Sequence, residues 1–501
     1  MNATLRRLST IVMVMFLALM VSTTWIQFVS AESLNSDGRN VRTIYSALAR
    51  DRGPIVVGGD PIVTSVAVDD NFKYQRTYSA DDAGAASVYA PITGYFGING
   101  TVTGLERYAN SYLAGEDDSL WLDRLQNLIT GEEAQGSSVE LTIDPEVQKA
   151  AWDALGDYVG AAVAIDPKTG AILAMVSKPS YDPNPLASHD NKTATKAFNQ
   201  LANERPAINN LDGSQGKSVY PVLKNRATEA TFFPGSTFKL ITSAAAIESG
   251  EYTPDKMIPA KDAYVPPHMS RPVGNFGGYP CAASQEMTLK DALKDSCNSA
   301  FAELAVNLGA EQMNDMFEAF GLNQELDIPM RVEPGTYPAD SSEDIIAYTG
   351  IGQGGVKITP LHDAMIAAGI ANGGDVMEPY LIDSVRDSDL ELVETTQPRR
   401  LSSAISSSTA DALTDMMVEV VNNGSGKAAQ IDGVQVAGKT GTAEDNPRAP
   451  TLWFTSFAPA DDPEVAVAVV LENQGQATET TTGGALAAPI AAQIIQAAIA
   501  K

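Results

Sequence analysis

The chain opens with an uncharged, mostly apolar stretch from Ile11 to Val29, which is preceded by Arg6 and Arg7. Together with the uncharged residues before it, this stretch approaches the roughly 20 residues that cross a bilayer as a helix. The two arginines would stay on the cytoplasmic side, and Trp25 suits the outer interface. The pattern predicts one membrane anchor. A signal peptide cleaved near residues 29–31 is the alternative, and either interpretation exports the rest of the chain.

Alternation of apolar and polar positions divides the exported part in two. Residues 32–138 are rich in Gly, Asp and Tyr, contain short strand-like runs, and end in a polar segment at 131–138 that is typical of a linker. From Val139 the chain alternates as a strand, and Asp144-Pro145 is a helix start signal. We therefore predict an anchor at 1–31, a mostly β N-terminal domain at 32–138 and a larger domain at 139–501.

Strand-like segments occur at both ends of the larger domain, with helical segments between them. Two apolar runs around Asp166–Gly170 predict a β-hairpin. Three more strands are predicted in VQVAGKTGTAE, LWFTSFAP and VAVAVVLEN, and helices at 237–249, 299–309, 360–371 and in the Ala-rich C-terminal segment. This order predicts an α+β fold, in which a central antiparallel sheet is made from both ends of the domain and is flanked by helices.

The composition excludes some functions. The 62 acidic and 34 basic residues give a net charge of −28, which argues against nucleic acid as a partner. The three histidines, at positions 189, 268 and 362, are too few to favour a Ser-His-Asp triad or a His-rich metal site. Cys281 and Cys297 lack a metal-binding spacing. They are either joined in a disulfide, which an oxidising compartment permits, or free.

One candidate nucleophile stands at a predicted helix start. Ser236 follows Pro234-Gly235, and Lys239 lies three residues further on, so both side chains share one helical face. A serine hydroxyl becomes nucleophilic when a neighbouring base takes its proton. A lysine can be that base if burial or nearby cations lower its pKa. The S-x-x-K pattern alone has low specificity, because Ser214–Lys217 also matches it within a predicted loop.

Two further elements could hold a substrate. Ser296-Cys297-Asn298 lies between two helical segments, where Ser296 is either a site residue or a helix N-cap. Lys439-Thr440-Gly441-Thr442 lies in a predicted strand; its cation and hydroxyls could hold a carboxylate, and Gly441 would let a peptide approach the backbone. The stretch 433–440 also matches a phosphate-binding loop. Its strand-like pattern and the prolines that follow oppose the helix that such a loop needs.

The order S-x-x-K, S-x-N, K-T-G is the active-site signature of penicillin-recognising serine enzymes. The surrounding segments NRATEATFFPGSTFKL, LKDSCNSAF and VAGKTGTAE resemble the transpeptidase domain of class B penicillin-binding proteins, in particular the actinobacterial penicillin-binding protein A group. The resemblance runs from about residue 140 to the end of the sequence. It is fainter upstream, where ARDRGPIVVGG and TGYFGINGTVTGLE resemble the non-catalytic, dimerisation-like pedestal of the same family.

The resemblance implies a serine D,D-transpeptidase that cross-links peptidoglycan and is acylated by β-lactams. Ser236 would attack the penultimate D-alanine of a stem peptide, and Lys239 would take its proton. Ser296 would relay that proton to the departing D-alanine. An amine from a neighbouring strand would then resolve the acyl-enzyme, and neither a metal nor an organic cofactor is implied.

The resemblance also implies how the donor peptide is held. Asn298 would bind its amide, and Lys439, Thr440 and Thr442 its terminal carboxylate. The backbone N–H groups of Ser236 and Thr442 would form the oxyanion hole. A disulfide between the two cysteines would brace the S-x-N element.

The implied setting is the outer face of the cytoplasmic membrane, beside cell-wall synthesis and division proteins that include a separate glycosyltransferase. Two alternatives within the enzyme class remain open at this point, a D,D-carboxypeptidase and a β-lactamase, because sequence does not show whether water or an amine resolves the acyl-enzyme. A third, from a different class, is a catalytically silent division scaffold or β-lactam sensor.

Overall fold

The computed structural model describes residues 2–26, 48–79, 83–98, 100–117, 135–267, 272–326, 328–339, 341–473 and 482–500. Its first helix contains the span Arg6–Thr24, which is long and apolar enough to cross a membrane and is not buried against the protein. The alternative cleavage site at 29–31 and residues 131–134 of the expected linker lie outside the described residues.

The described elements are as follows. The strands are β1 (Ile55–Val57), β2 (Asp60–Ala67), β3 (Tyr74–Tyr78), β4 (Ser138–Leu141), β5 (Gly160–Ile165), β6 (Ile172–Lys178), β7 (Ala207–Asn209), β8 (Gln215–Lys217), β9 (Met257–Pro259), β10 (Ala263–Tyr264), β11 (Val273–Gly274), β12 (Glu286–Thr288), β13 (Asp375–Met377), β14 (Ile382–Arg386), β15 (Leu392–Thr395), β16 (Arg400–Ser403), β17 (Ala437–Asp445), β18 (Arg448–Ala458) and β19 (Val465–Leu471). The α-helices are α1 (Asn2–Thr24), α2 (Ala83–Thr93), α3 (Gly104–Tyr108), α4 (Asn110–Leu113), α5 (Pro145–Leu155), α6 (Asn191–Asn203), α7 (Lys239–Glu248), α8 (Leu289–Lys294), α9 (Asn298–Leu308), α10 (Ala310–Ala319), α11 (Glu343–Thr349), α12 (Pro360–Ala371), α13 (Ser407–Asn422) and α14 (Gly483–Ile499). Short 3₁₀ helices lie at Gly235–Phe238, Phe276–Gly278 and Lys427–Ala429.

A five-stranded antiparallel sheet forms the centre of the larger domain. Its strand order is β17-β18-β19-β5-β6, so the sheet is made from both ends of the region, as the sequence predicts. In β19 the odd-numbered residues pack with α5 and α14, and the even-numbered ones face the side where α12 packs. Both faces are buried, and each fully buried Val contributes about 1.5–3 kcal/mol. The α+β fold class is confirmed.

Several local predictions are confirmed. Helix α5 begins where expected, because the Asp144 carboxylate accepts hydrogen bonds from the N–H groups of Glu146 and Val147. The hairpin between β5 and β6 turns at 166–170, so Lys168-Thr169-Gly170, which also spells K-T-G, belongs to a turn. The second S-x-x-K match, which begins at Ser214, is exposed on the turn that leads into β8.

A second, six-stranded sheet connects the N-terminal region to distant parts of the chain. Its order is β15-β14-β4-β1-β2-β3. Strand β4 pairs parallel with β1 and antiparallel with β14, so segments from three parts of the chain lie side by side. The boundary predicted between residues 138 and 139 falls within β4, a strand that both regions share.

A buried charge cluster holds the N-terminal region together. The Glu106 carboxylate is fully buried and accepts hydrogen bonds from Arg52 Nη2 at 2.8 Å and Arg76 Nε at 2.6 Å. Burial favours the neutral acid, but the two guanidinium groups outweigh it, and the pKa of Glu106 is lowered. The cluster is therefore ionised in the folded protein at neutral pH.

We expect Glu106→Gln to lower the free energy of unfolding by about 3–5 kcal/mol, because two buried cations lose their counter-charge. Thermal unfolding followed by circular dichroism measures the effect. Glu116→Gln is the matched control: Glu116 pairs with Arg50 at the surface, where about 1 kcal/mol or less is expected. If the two substitutions lowered the thermal midpoint equally, the buried cluster would have no special role in stability.

Candidate active site

Ser236 lies on the 3₁₀ helix that leads directly into α7. The N–H of Gly235 donates to Gly352 O at 3.0 Å, which fixes the turn, and Gly235 has a φ of +56° that L side chains rarely adopt. Ser236 lines a cleft of about 510 Å³. Its hydroxyl makes no hydrogen bond within the part of the chain that the structure describes, so it is available to a substrate.

Two buried lysines converge behind the cleft. Lys239 Nζ lies 3.1 Å from Ser296 Oγ and 2.7 Å from Asn298 Oδ1, and Lys439 Nζ lies 2.9 Å from the same Ser296 Oγ. Burial, and after it the charge of Lys439, hold the pKa of Lys239 well below that of an ordinary ammonium. Burial lowers the pKa of Lys439 to about 7. A lysine in this setting can lose its proton and act as a base.

Ser296 is presented by the end of α8. The N–H of Cys297 donates to Ala292 O at 2.9 Å, and the N–H of Ser296 donates to Leu293 O at 3.2 Å. These two bonds form a Schellman C-cap, in which Ser296 occupies the left-handed position with a φ of +59°. Glycine is usual there, so serine carries a local conformational cost. The N-cap of α9 is Cys297, not Ser296.

The same turn is tied to a segment that lines the cleft. A disulfide joins Cys297 to Cys281, with their Cα atoms 5.8 Å apart. The Asn298 Nδ2 group donates to Gly274 O at 3.2 Å. Residues 272–276 form part of the cleft wall, so the disulfide and this hydrogen bond hold that wall against the S-x-N turn.

Strand β17 is the edge strand of the central sheet and faces the nucleophile. Thr440 and Thr442 line the cleft, and Thr440 Oγ1 lies 2.7 Å from Ser425 Oγ. Gly441 was expected to let a peptide approach the backbone, and the structure gives this glycine a different role. A Cβ added there would lie 2.8 Å from Pro234 O, so the glycine admits the turn that carries Ser236 and does not face a substrate.

The structure thus brings Ser236, Ser296, Asn298, Thr440 and Thr442 to one cleft, with both lysines buried behind it. Sequence reasoning missed other lining residues, namely Asp295, Tyr348, Gln353, Ser425 and Glu444. Asp295 and Glu444 adjoin the motifs and could have been found by that proximity, whereas the other three carry no motif. No cluster of three or more His, Cys, Asp or Glu side chains suited to a metal occurs in the described residues.

The rate of acylation by benzylpenicillin should rise with pH in acid and level off well below the usual pKa of a lysine, because burial and the charge of Lys439 lower the pKa of Lys239. Lys239 must be neutral to accept a proton, so below its folded pKa the rate falls about tenfold per pH unit. Stopped-flow measurements from about pH 5 to about pH 9 test this. Lys439→Met removes one of the two causes that lower the pKa of Lys239. The rise of the acylation rate with pH should therefore shift to higher pH in this variant. A rate that falls between about pH 5 and about pH 8 would contradict a lysine base.

The site combines a serine at the start of a helix with a K-T-G sequence on the facing edge strand of an antiparallel sheet. This combination defines the class of penicillin-recognising serine enzymes. The model of the penicillin binding protein transpeptidase domain matches residues 160–496, and that of the penicillin binding protein A dimerisation domain matches residues 52–139. The chain therefore belongs to the class B penicillin-binding protein family, and the resemblance inferred from the motifs is confirmed.

Relatives support this assignment along the whole sequence. The chain is 40% identical to the peptidoglycan D,D-transpeptidases PbpA of Mycolicibacterium smegmatis and Mycobacterium tuberculosis, over 100% of this chain and 99% of each relative. The structure of penicillin-binding protein A from M. tuberculosis as a ceftriaxone acyl-enzyme complex has a TM-score of 0.82 and 39% identity, covering 91% of this chain and all of that one. The D,D-transpeptidase domain of a peptidoglycan glycosyltransferase from Eggerthella lenta has a TM-score of 0.74 at 30% identity, covering 90% of this chain and 99% of that one.

Proposed function

We propose that the chain is a serine D,D-transpeptidase that cross-links peptidoglycan stem peptides through an acyl-enzyme on Ser236. One observation carries the proposal: the amines of Lys239 and Lys439 meet at a single hydroxyl, that of Ser296, behind the cleft that Ser236 lines. The relatives named as peptidoglycan D,D-transpeptidases and the β-lactam acyl-enzyme structures of one of them support the same chemistry.

In the first step the neutral amine of Lys239 accepts the Ser236 proton as Oγ attacks the penultimate D-alanine carbonyl carbon. The resulting oxyanion is held by the N–H groups of Ser236 and Thr442. The C–N bond then breaks, and the proton reaches the leaving D-alanine amine through the Ser296 hydroxyl, which lies 3.1 Å from Lys239 Nζ. The products of this step are an ester on Ser236 and free D-alanine.

The donor peptide is positioned by groups on both sides of the cleft. Asn298 binds its amide, and the hydroxyls of Thr440 and Thr442 bind the terminal carboxylate. Lys439 adds positive charge behind those hydroxyls. We add Ser425 to the predicted set, because its hydroxyl lies 2.7 Å from Thr440 Oγ1 and lines the same cleft.

The second step transfers the acyl group to an amine. Asp295 and Glu444 line the cleft, so two acidic residues are there to attract a primary ammonium, although the Asp295 carboxylate also lies 3.9 Å from Lys294 Nζ. Burial raises the pKa of Asp295, which brings it closer to the range useful for proton transfer. These two groups favour an amine over water as the acceptor, and so favour transpeptidation over carboxypeptidase or β-lactamase activity.

The proposed setting follows from the first helix. The span Arg6–Thr24 anchors the chain in the cytoplasmic membrane, with residues 139–501 as the catalytic domain outside it and residues 32–138 as a non-catalytic pedestal. In this setting the chain works on strands that a separate glycosyltransferase supplies, beside other cell-wall and division proteins.

The experiment offers the full chain a pentapeptide ending in D-alanyl-D-alanine together with a D-amino acid, and mass spectrometry follows the products. We expect the aminolysis product to exceed the hydrolysis product, and both to be absent with Ser236→Ala. Hydrolysis alone would make the protein a carboxypeptidase. An adduct with benzylpenicillin that decays within seconds would make it a β-lactamase, and no reaction of either substrate would make it a scaffold.

A further inference from the structure

A second cavity lies away from the cleft, where the N-terminal region meets the catalytic part. This junction cavity has a volume of about 300 Å³. The N-terminal wall comes from the end of α2 and from α3, and the opposite wall from the segment around Asn225. The two walls are joined directly, because Asn225 Nδ2 donates to Pro91 O at 3.0 Å and Tyr181 Oη donates to Ala90 O at 3.3 Å.

The charge of the junction cavity is opposite to that of the protein. The whole chain has 62 acidic and 34 basic residues, yet the cavity is lined by Arg107, Lys224 and Arg331 against one acidic side chain, Glu229. Lys224 is paired with Glu229 at 3.3 Å, and Arg331 is paired with Glu333 at 2.8 Å. Arg107 is exposed and forms no ion pair with any residue that the structure describes. An unpaired guanidinium group at a concave site favours a carboxylate.

The lining also contains an unused hydrogen-bonding group. The Thr228 side chain is 1% exposed, and its hydroxyl has no partner among the described residues. A buried hydroxyl without a partner is costly, and a ligand hydroxyl or amide would satisfy it. Three tyrosines line the same cavity; Tyr95 and Tyr181 are buried in its wall, and Tyr108 is exposed and offers a flat apolar face of the kind on which sugar rings pack.

We propose that the junction cavity is a second binding site, distinct from the cleft, for a carboxylate-bearing glycan. Arg107 binds the carboxylate, Thr228 bonds a sugar hydroxyl or acetamido group, and the exposed Tyr108 ring packs against the sugar. That this glycan is a peptidoglycan strand rests on the proposed function. The site would hold a strand on the pedestal side while its stem peptides react in the cleft.

The test uses the full chain in detergent after acylation by benzylpenicillin, so that the cleft is closed to ligands. Isothermal titration calorimetry measures binding of a soluble disaccharide–tetrapeptide fragment of peptidoglycan, and of the same fragment with its carboxylates amidated. We expect Arg107→Ala to raise Kd about tenfold, the loss of one charge-assisted hydrogen bond. Amidation should weaken binding to the wild type and have little further effect in Arg107→Ala.

Thr228→Val is expected to raise Kd about fivefold while leaving the thermal midpoint unchanged or higher, because the lost hydroxyl has no partner within the part of the chain that the structure describes. Arg386→Ala, which removes an exposed arginine on β14, is the matched control and should bind as the wild type does. Absence of binding to the acylated wild type, or equal binding by wild type, Arg107→Ala and Thr228→Val, overturns the proposal. So does an Arg107→Ala defect seen only with anionic phospholipid vesicles. Failure of acylation itself would count against the proposed function instead.

Discussion

Benzylpenicillin should add once and stably to the wild-type chain and not at all to Ser236→Ala. The bond that forms joins the β-lactam carbonyl carbon to a serine Oγ, and the alanine variant has no such oxygen. Ser236 is presented to a cleft of about 510 Å³ by a turn whose Gly235 N–H is bonded to Gly352 O, so the backbone is held whichever residue stands at 236. Intact-mass spectrometry over time measures the adduct.

A matched control lies in the same chain. Ser214→Ala removes the serine of the second S-x-x-K match, which is exposed on a turn and lies outside the cleft. That variant should be acylated at the wild-type rate. An adduct retained by Ser236→Ala, or lost in Ser214→Ala while the thermal midpoint is unchanged, would show that the nucleophile has been misassigned.

Lys239→Met and Lys239→Arg should both slow acylation by about 100- to 10,000-fold, the usual contribution of a general base. The arginine variant separates two explanations. If the lysine served only as a positive charge, arginine would retain much of the rate. A guanidinium does not give up its proton near neutral pH, so it cannot replace an amine whose burial and proximity to Lys439 lower its pKa.

The rate constant for benzylpenicillin acylation, measured by stopped flow at saturating and limiting concentrations, separates binding from chemistry. We expect the Lys239 variants to bind benzylpenicillin normally and to be slow in the acylation step itself. Lys217→Met, at the exposed S-x-x-K match, is the control and should react normally. A Lys239→Arg variant within about tenfold of the wild type would rule out the general-base role, since base catalysis contributes at least about 100-fold.

Much of the catalytic part could be predicted from the sequence, because its signals are local. The apolar run after Ser236 predicts the helix that the structure has at α7, and the two apolar runs that form β18 and β19 predict a sheet made from both ends of the domain. Asp144-Pro145 predicts the start of α5. In each case a few neighbouring residues determine the structure, so the pattern can be read without knowing what packs against it.

The remaining features depend on contacts between distant residues. Gly441 was interpreted as room for a substrate, but the atom that needs its space, Pro234 O, lies far away in sequence. Ser296 occupies a left-handed position at the end of a helix, where glycine is usual. A serine at this position gives no sequence signal for a helix end. Ser425 is a site candidate only because its loop meets Thr440.

The sharing of β4 has a consequence for biogenesis. On the proposed topology, a chain threaded through the membrane from its N-terminus delivers β1, β2, β3 and β4 long before β14, so one edge of β4 emerges with its backbone groups unpaired. Until the partner strand arrives, that edge can pair with other chains, and a newly exported molecule needs protection from aggregation. A product truncated before residue 382 lacks β14 and cannot complete the sheet of the N-terminal region, which therefore becomes whole only when most of the chain has been made.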